Sequence, residues 1–237
     1  MIRALICIAA LAAVSACSRI RGGEADAVAD LMPCADMAAT PGELNPGACR
    51  LEATDQRIRV TFASVVEGGT GGTVTADVLS ETGAVVQSMV ERDVSEYLPP
   101  SVQDIDGDGR GDVLIARESG NVNTAHAVWI YSGARGAFHR VGEVSGVEIT
   151  RTNDGYIAVP ARSGAAAWNV AFYRLDEEAL HPLLTVGVEA QGQGSDGVVT
   201  RATCTVTDAP GLAELAMRLE DARAKFCIEP AAQVFGP

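Results

Sequence analysis

The sequence is poor in aromatic and basic residues, and each shortage excludes something. Phe, Trp and Tyr make up 5% of the 237 residues, so a core has to be built from Val, Ile, Leu and Ala. Lys and Arg number 18 against 31 Asp and Glu, which gives a formal net charge of −13. Nucleic-acid phosphates would repel such a chain, so we expect no nucleic-acid partner. The same charge favours a basic protein or a divalent metal ion.

Sequence motifs of common hydrolases and zinc enzymes are also missing. There is no Gly-x-Ser-x-Gly segment and no Cys-x-x-Cys pair, and His126, His139 and His181 are far apart in the sequence. The glycine-rich segment 68–72 lacks the Lys-Ser/Thr sequence that follows a phosphate-binding loop. We therefore expect a protein that is not an enzyme, with a hydrolase as the less favoured alternative.

A short apolar run, residues 4–14, follows Arg3 and precedes small residues. It is too short to span a bilayer and is typical of a secretion signal. Residues 14–17, Val-Ser-Ala-Cys, resemble the lipobox of bacterial lipoproteins. The resemblance implies a signal peptide over 1–16, lipid on Cys17 and a tether over 17–33. An ordinary signal peptide, with Cys17 as a free thiol, is the alternative.

The lipoprotein resemblance also predicts where the protein is located. Two or more acyl chains on Cys17 would anchor it stably to a bacterial membrane. Residue 18 is Ser, whereas in enteric lipoproteins an Asp at this position favours retention in the inner membrane. The resemblance therefore implies a periplasm-facing protein of the cell envelope, on the outer membrane.

Four cysteines remain once Cys7 leaves with the signal peptide and Cys17 carries lipid. An even number in an oxidising compartment indicates disulfides, and four cysteines allow three pairings. We favour Cys34–Cys49 and Cys204–Cys227, because each pair closes a short local loop. A zinc site is the alternative, and the scattered histidines argue against it.

Short segments with strand-like patterns and turn signals follow from residue 57 onwards. Segments 113–141 and 156–183 share one outline: strand, Ser-Gly loop, aromatic strand, polar turn, strand. Segment 58–90 has the same outline without Ser-Gly. A period of roughly 45 residues is that of one β-propeller blade. We expect one mainly β domain over 34–237, made of small or incomplete β-propeller-like meander repeats, with a twisted β-sandwich as the alternative.

The end of the chain has a helical pattern instead. Apolar residues recur at helical spacing at Leu212, Leu215, Ala216 and Leu219. Asp208 can cap a helix, and Pro210 suits a first helical turn. The pattern predicts an amphipathic C-terminal helix over about 210–223.

Residues 104–112 read Asp-Ile-Asp-Gly-Asp-Gly-Arg-Gly-Asp and crowd four carboxylates into nine positions. Side chains at loop positions 1, 3 and 5 can converge on one point, and Gly109 permits a sharp turn. Calcium binds six to eight oxygens in flexible geometry. The segment predicts a Ca²⁺ site with these ligands: Asp104, Asp106, Asp108, the backbone carbonyl of Arg110, and Asp112.

Three other interpretations of this loop are weaker. An EF-hand needs Glu at position 12, where this chain has Ile115, and the residues after Asp112 are strand-like rather than helical. A solvated turn suits Asp and Gly but leaves four like charges without a counter-ion. The adhesion tripeptide Arg110-Gly111-Asp112 would need an exposed Asp112, which we expect to point inward.

The spacing of the acidic loop resembles the calcium loops of FG-GAP repeats in integrin α-chain propellers. The region of about 104–188 is similar to propeller-like relatives of periplasmic inhibitors of invertebrate-type lysozyme. Besides the loop, the residues that carry the resemblance are Trp129, Tyr131, Phe138, Arg162, Ser163, Gly164, Trp168 and Tyr173.

The resemblance implies that Arg162-Ser163-Gly164 is a loop that contacts a partner, as Ser-Gly loops do in such inhibitors; a plain hairpin turn is the alternative. We expect a calcium-stabilised periplasmic lipoprotein that binds proteins, with a basic lysozyme-type muramidase as the candidate partner. An envelope scaffold or a ligand-binding lipoprotein of other specificity is the alternative.

Overall fold

The computed structural model describes residues 28–37, 47–53, 56–63, 71–95, 98–193 and 199–235. The expected signal peptide 1–16, Cys17 and the first part of the expected tether lie outside these residues. Residues 28–33, the end of the expected tether, pack against the folded part of the chain. Val28 is buried, and the Arg50 guanidinium donates hydrogen bonds to the carbonyls of Ala29 and Leu31 at 2.9 and 2.8 Å. The folded unit therefore begins before Cys34.

Strands dominate the described residues and form three antiparallel sheets. The first sheet pairs β1 (Ala48–Ala53), β2 (Gln56–Ala63), β3 (Gly72–Leu79) and β4 (Val85–Val94) in that order. The second pairs β5 (Ser101–Gln103), β6 (Asp112–Ser119), β7 (Thr124–Ser132) and β8 (Ala137–Gly146). The third contains β9 (Thr150–Arg151), β10 (Ile157–Gly164), β11 (Ala167–Leu175), β12 (Leu180–Gln193) and β13 (Val199–Asp208).

Each sheet is a meander, because consecutive strands of the chain are hydrogen-bonded neighbours. The expected repeats correspond to these sheets: segment 58–90 supplies β2 to β4, segment 113–141 supplies β6 to β8, and segment 156–183 supplies β10, β11 and the start of β12. The prediction of a mainly β fold built from meander repeats is confirmed. Turns such as 80–84 and 133–136 keep the strands adjacent.

Hydrophobic clusters lie between successive layers. Side chains of the first and second sheets share one cluster, side chains of the second and third share another, and the third sheet packs on the C-terminal segment. Strand β6 shows the principle: Val113 and Ile115 belong to the first cluster, and Leu114 belongs to the second. Burial of both faces explains why β6 reads as a continuous apolar run.

The C-terminal helix, α1, spans Leu219–Phe226, so the predicted range of about 210–223 is wrong at its start. Turns occupy residues 210–216, and Ala216 has a φ of +50°, which a continuing α-helix does not allow. Arg218, rather than Asp208, precedes the helix as its N-cap. The helix buries Ala222 and Phe226 against the third sheet.

Both favoured disulfides are confirmed. Cys34 pairs with Cys49, and Cys204 pairs with Cys227, across sequence separations of 15 and 23 residues. The second bridge ties the end of α1 to β13, next to a hydrogen bond that Arg223 donates to the carbonyl of Cys204 at 2.9 Å. Within the described ranges, the helices are too short or too polar to cross a membrane.

Candidate functional site

The acidic loop connects β5 to β6, and the register pair of Gln103 and Asp112 closes its two ends. Aspartate side chains fold the loop by accepting hydrogen bonds from its own amides. The carboxylate of Asp104 accepts from the amides of Gly107 and Gly109, at 2.7 and 3.0 Å. Both glycines have positive φ, +77° and +84°, a conformation that favours glycine.

Three predicted ligands converge. Carboxylate oxygens of Asp104, Asp106 and Asp108 lie within 4.8 Å of one another. Burial raises the pKa of Asp106, and the nearby charges of Asp108 and Asp104 raise it further. Three oxygen ligands at this spacing suit a hard cation such as Ca²⁺, which would also relieve the repulsion between them.

Asp112 lies outside this group of three carboxylates, and its role as a ligand stays a prediction. Its side chain is fully buried beneath the loop, where Oδ2 accepts from the amide of Ile105 at 2.8 Å and Oδ1 from that of Tyr131 at 2.9 Å. Burial raises the pKa of Asp112 to about 6, although the two amides oppose this shift. Asp112 therefore anchors the loop to β7, and its burial rules out a role in an adhesion tripeptide.

Two arginines lie at the acidic loop, one within the loop and one from another sheet. The guanidinium of Arg110 lies over the ring of Tyr131, 5.3 Å from its centroid. The guanidinium of Arg151, from β9 of the third sheet, lies against Gly107, and its charge lowers the pKa of Asp106. A metal-coordinating role for the Arg110 carbonyl stays a prediction. Sequence patterns gave no sign of Arg151, because it reaches the loop only through sheet packing.

The predicted partner loop lies at the opposite end of the sheets. Arg162, Ser163 and Gly164 are exposed at the end of β10, and the pair Gly164–Ala167 starts the return into β11. The Arg162 guanidinium lies 5.6 Å from the centroid of the Trp168 ring. It also donates hydrogen bonds to the carbonyls of Gly164 and Ala165, at 3.3 and 3.2 Å, which stiffens the turn.

Asn123 joins this turn to the Ser-Gly loop of the second sheet. The Arg162 amide donates to Asn123 Oδ1 at 2.8 Å, and Asn123 Nδ2 donates to the Arg162 carbonyl at 2.9 Å. Residues 119–123 and 162–166 thus form one surface, which we name the Ser-Gly edge. The repeat pattern indicated that both loops exist, but it gave no sign that Asn123 joins them.

The histidine side chains of the described residues lie in different surroundings. His181 pairs with Asp176, Nε2 to Oδ2 at 2.6 Å; the amides of Glu178 and Ala179 lower the pKa of Asp176 to about 2, and His181 adds to this. Burial lowers the pKa of His126. Within the described ranges, no serine hydroxyl is hydrogen-bonded to a histidine, so the geometry offers no activated nucleophile of the Ser-His type.

The fold and site together define a mainly β protein of three meander sheets with an acidic loop at one end. No protein-family model matches the chain, and no curated protein matches it. Among solved structures, the chain is similar to a Xanthomonas type IV secretion system related protein. The TM-score is 0.45 and the sequence identity 12%, over 73% of this chain and 95% of that one.

Proposed function

We propose that the protein is a calcium-stabilised, periplasm-facing lipoprotein that binds another protein, with a lysozyme-type muramidase as the candidate partner. The observation that carries the proposal is the two-way hydrogen bond between Asn123 and Arg162, which holds two exposed Ser-Gly loops together. Loops fixed before binding lose less conformational entropy when a partner docks.

The chemistry of the Ser-Gly edge supports protein binding. Arg and Trp are enriched among residues that dominate binding energy, and here Arg162 and Trp168 lie against each other at the edge. Two apolar side chains near the edge, Val122 and Val147, are 47% and 39% exposed. A partner that covers these two valines would bury apolar surface next to the polar contact made by Arg162.

Charge supports a basic partner. Arg3 is the single charged residue of segment 1–16, so a chain cleaved before Cys17 keeps 17 basic and 31 acidic residues, a net charge of −14. Many lysozymes are basic, and opposite charge speeds their encounter with an acidic protein. We expect the association rate to fall as salt is raised.

Calcium has a structural role in this proposal. The acidic loop precedes the first residue of β6, Asp112, and a loop of the Ser-Gly edge follows its last, Ser119. Eight extended residues separate the two ends by roughly 24 Å. A cation bound by Asp104, Asp106 and Asp108 would therefore stabilise the start of β6 without touching a partner at the edge.

A lysozyme turbidity assay tests the proposal, with residues 18–237, which contain every described residue. We expect inhibition, and we expect Arg162→Ala and Trp168→Ala to weaken it by about tenfold or more if they are binding anchors. Arg201→Ala, an exposed arginine on β13, is the matched control and should inhibit normally. Absence of inhibition across all lysozyme classes would remove this partner.

A cavity next to the acidic loop favours the alternative of a ligand-binding lipoprotein. It has a volume of about 410 Å³ and is lined by groups of both charges. Capture of proteins from envelope extracts separates the two functions: a muramidase retained through Arg162 supports the first, and specific retention of no protein supports the second.

The lipid anchor has its own test. Growth with labelled palmitate should label the natural chain and not Cys17→Ser, and the natural chain should fractionate with the outer membrane. Labelling of both chains, or of neither, would contradict lipidation at Cys17.

A further inference from the structure

The cavity of about 410 Å³ lies between the second and third sheets, next to the acidic loop. Its apolar wall comprises Ile130 from β7, Ile157 from β10 and Leu175 from β11. Its polar lining includes His139 and Arg151. This volume lies within the range of small-ligand sites, and the combination of an apolar wall with a few polar groups is typical of them.

His139 is the unusual member of the lining. It lies on β8, paired with Ile130, and both of its ring nitrogens are buried without a hydrogen-bond partner. An imidazole carries one donor and one acceptor when neutral, and leaving both unmet away from solvent is costly. Neither nitrogen has accessible surface in this structure, so a group in the cavity can bond to the ring, and remove this cost, only when the ring turns towards it.

Arg151 reaches the same cavity from β9, and two glycines make room for it. A Cβ atom at Gly107 would overlap its Nη1, and one at Gly155 would lie 3.3 Å from its Nη2. Both glycines have positive φ, +77° and +85°. In the described chain no carboxylate lies within salt-bridge distance of the Arg151 guanidinium, although its charge acts on Asp106, so its donors can bond to a ligand that competes with the acidic loop.

We propose that the cavity binds a carboxylate group, with the guanidinium of Arg151 and the imidazole of His139 as its hydrogen-bond donors. A guanidinium matches the two oxygens of a carboxylate, and the imidazole N–H can donate to one of them once its ring turns towards the cavity. The hydrocarbon part of the ligand lies against Ile130, Ile157 and Leu175.

Four acids line the cavity and oppose an anion in it: Asp106, Asp108, Asp176 and Glu177. The carboxylate of Asp176 already accepts the amides of Glu178 and Ala179 and pairs with His181. Asp106 and Asp108 belong to the acidic loop, where bound calcium would neutralise them. This step rests on the proposed calcium site, and it predicts that Ca²⁺ strengthens carboxylate binding.

Nuclear magnetic resonance of the histidine rings tests the proposal with butyrate as the probe. Butyramide and butylammonium have hydrocarbon chains of similar size but no negative charge, so they serve as matched ligands. We expect butyrate alone to shift the ring resonances of His139, which are assigned by their loss in His139→Gln. Shifts with butylammonium alone, or with none of the three, would overturn the proposal; the last outcome means a cavity filled by water.

Two variants connect the shift to the proposed donors. Arg151→Gln should weaken butyrate binding by about tenfold or more, because it removes the charge-assisted bond. Arg201→Gln, at an exposed site on β13, is the matched control and should bind normally. Both variants should keep the melting temperature of the natural chain. Unchanged binding by a folded Arg151→Gln protein would contradict the proposal.

Further experiments identify the source of the carboxylate and test the role of calcium. A blocked tripeptide, acetyl-Ala-Glu-Ala-amide, that binds more tightly than butyrate indicates an acidic side chain of a protein; tighter butyrate binding indicates a free acid. Metal is removed by dialysis, because chelators themselves carry carboxylates. Butyrate binding that does not respond to Ca²⁺ would sink the calcium step while supporting the carboxylate site.

Discussion

The side-chain amide of Gln87 on β4 forms two hydrogen bonds with the backbone of Phe138 on β8. Gln87 Nε2 donates to the Phe138 carbonyl at 2.5 Å, and the Phe138 amide donates to Gln87 Oε1 at 2.9 Å. An amide thus extends the hydrogen bonding of one sheet into the next. Asn123 does the same to Arg162 between the second and third sheets.

Loss of the two hydrogen bonds of Gln87 should weaken the contact between the first and second sheets. Gln87→Ala leaves the Phe138 amide and carbonyl without their partner in a buried residue, and we expect a loss of about 1–3 kcal/mol in the free energy of unfolding. Urea denaturation measures it. Gln191→Ala, at an exposed site on β12, should cost less than about 0.5 kcal/mol; equal losses would contradict the role of Gln87.

Glu91 on β4 is a buried carboxylate that contacts three side chains of the second sheet. It is 4% exposed, and its Oε1 accepts from Trp129 Nε1 at 2.9 Å and from Arg140 Nε at 2.8 Å. Its Oε2 lies 3.6 Å from Arg117 Nε. Glu91→Ala leaves Trp129 Nε1 and Arg140 Nε without this acceptor, while both arginines keep Glu143, and we expect a loss of about 1–3 kcal/mol.

The matched control for Glu91 is Glu143, which bonds to the same arginines, Arg117 and Arg140, but has a side chain that is 40% exposed. Glu143→Ala should cost about 0–1 kcal/mol, as exposed ion pairs do. Thermal and urea unfolding of both variants compare them. Similar losses in the two would show that burial does not set the cost.

Calcium should raise the melting temperature, because an ion that binds only the folded chain stabilises it. At one hundred times the dissociation constant the gain is about 2.7 kcal/mol. The double variant Asp106→Ala/Asp108→Ala should lose the difference between Ca²⁺ and chelator. Glu52→Gln, an exposed acid on β1, should retain it. A natural chain that melts at the same temperature in both conditions would refute the calcium site.

Through Asp112, a lower pH should stabilise the folded chain, whereas protonation of a paired surface carboxylate destabilises it. Its pKa rises from 3.8 to about 6 on folding, so the folded chain holds its proton more tightly than the unfolded chain. The stability that this group contributes is therefore present at low pH and is lost as the pH rises from about 4 to 6. In metal-free buffer, the advantage of the natural chain over Asp112→Asn should shrink across this interval. An advantage that grows with pH would reverse the sign.

The two disulfides should differ in their access to reductant. Cys34 and Cys49 are 1% and 0% exposed, whereas Cys204 and Cys227 are only partly buried. Mild reduction followed by alkylation and mass spectrometry should label Cys204 and Cys227 first. Loss of the second bridge in Cys204→Ser/Cys227→Ser should cost about 2–4 kcal/mol. Simultaneous labelling of both pairs would contradict this order.

The local parts of the fold could be predicted because they depend on neighbours in the sequence. Alternation and turn residues marked β6 to β8 and β10 to β12, and short loops between cysteines marked the bridges. The start of α1 could not be predicted, since the apolar spacing continues through Leu212 and Leu215 while Ala216 adopts a positive φ. The segment before Ala216 packs closely on β12, where a Cβ at Gly211 would lie 2.7 Å from the Cα of Leu183.

The candidate sites also contain parts that local sequence predicts and parts that depend on tertiary packing. The spacing alone predicted that Asp104, Asp106 and Asp108 converge, because glycines within the loop permit its tight turns and no contact with a distant residue is required. The contact of Asp112 with the amide of Tyr131, nineteen residues away, depends on strand packing, and so the spacing gave no sign of its role as an anchor.

By itself, the sequence predicted the meander repeats, the favoured bridge pairing and the acidic loop, since alternation, short loops between cysteines and Asp-Gly spacing act over a few residues. Only the tertiary structure decided that Gln87 and Asn123 connect neighbouring sheets by hydrogen bonds. It also decided that Glu91 is buried and that His139 and Arg151 line one cavity. The physical reason is that these contacts join residues 38 to 51 positions apart, or residues on different sheets, and each depends on how whole sheets pack.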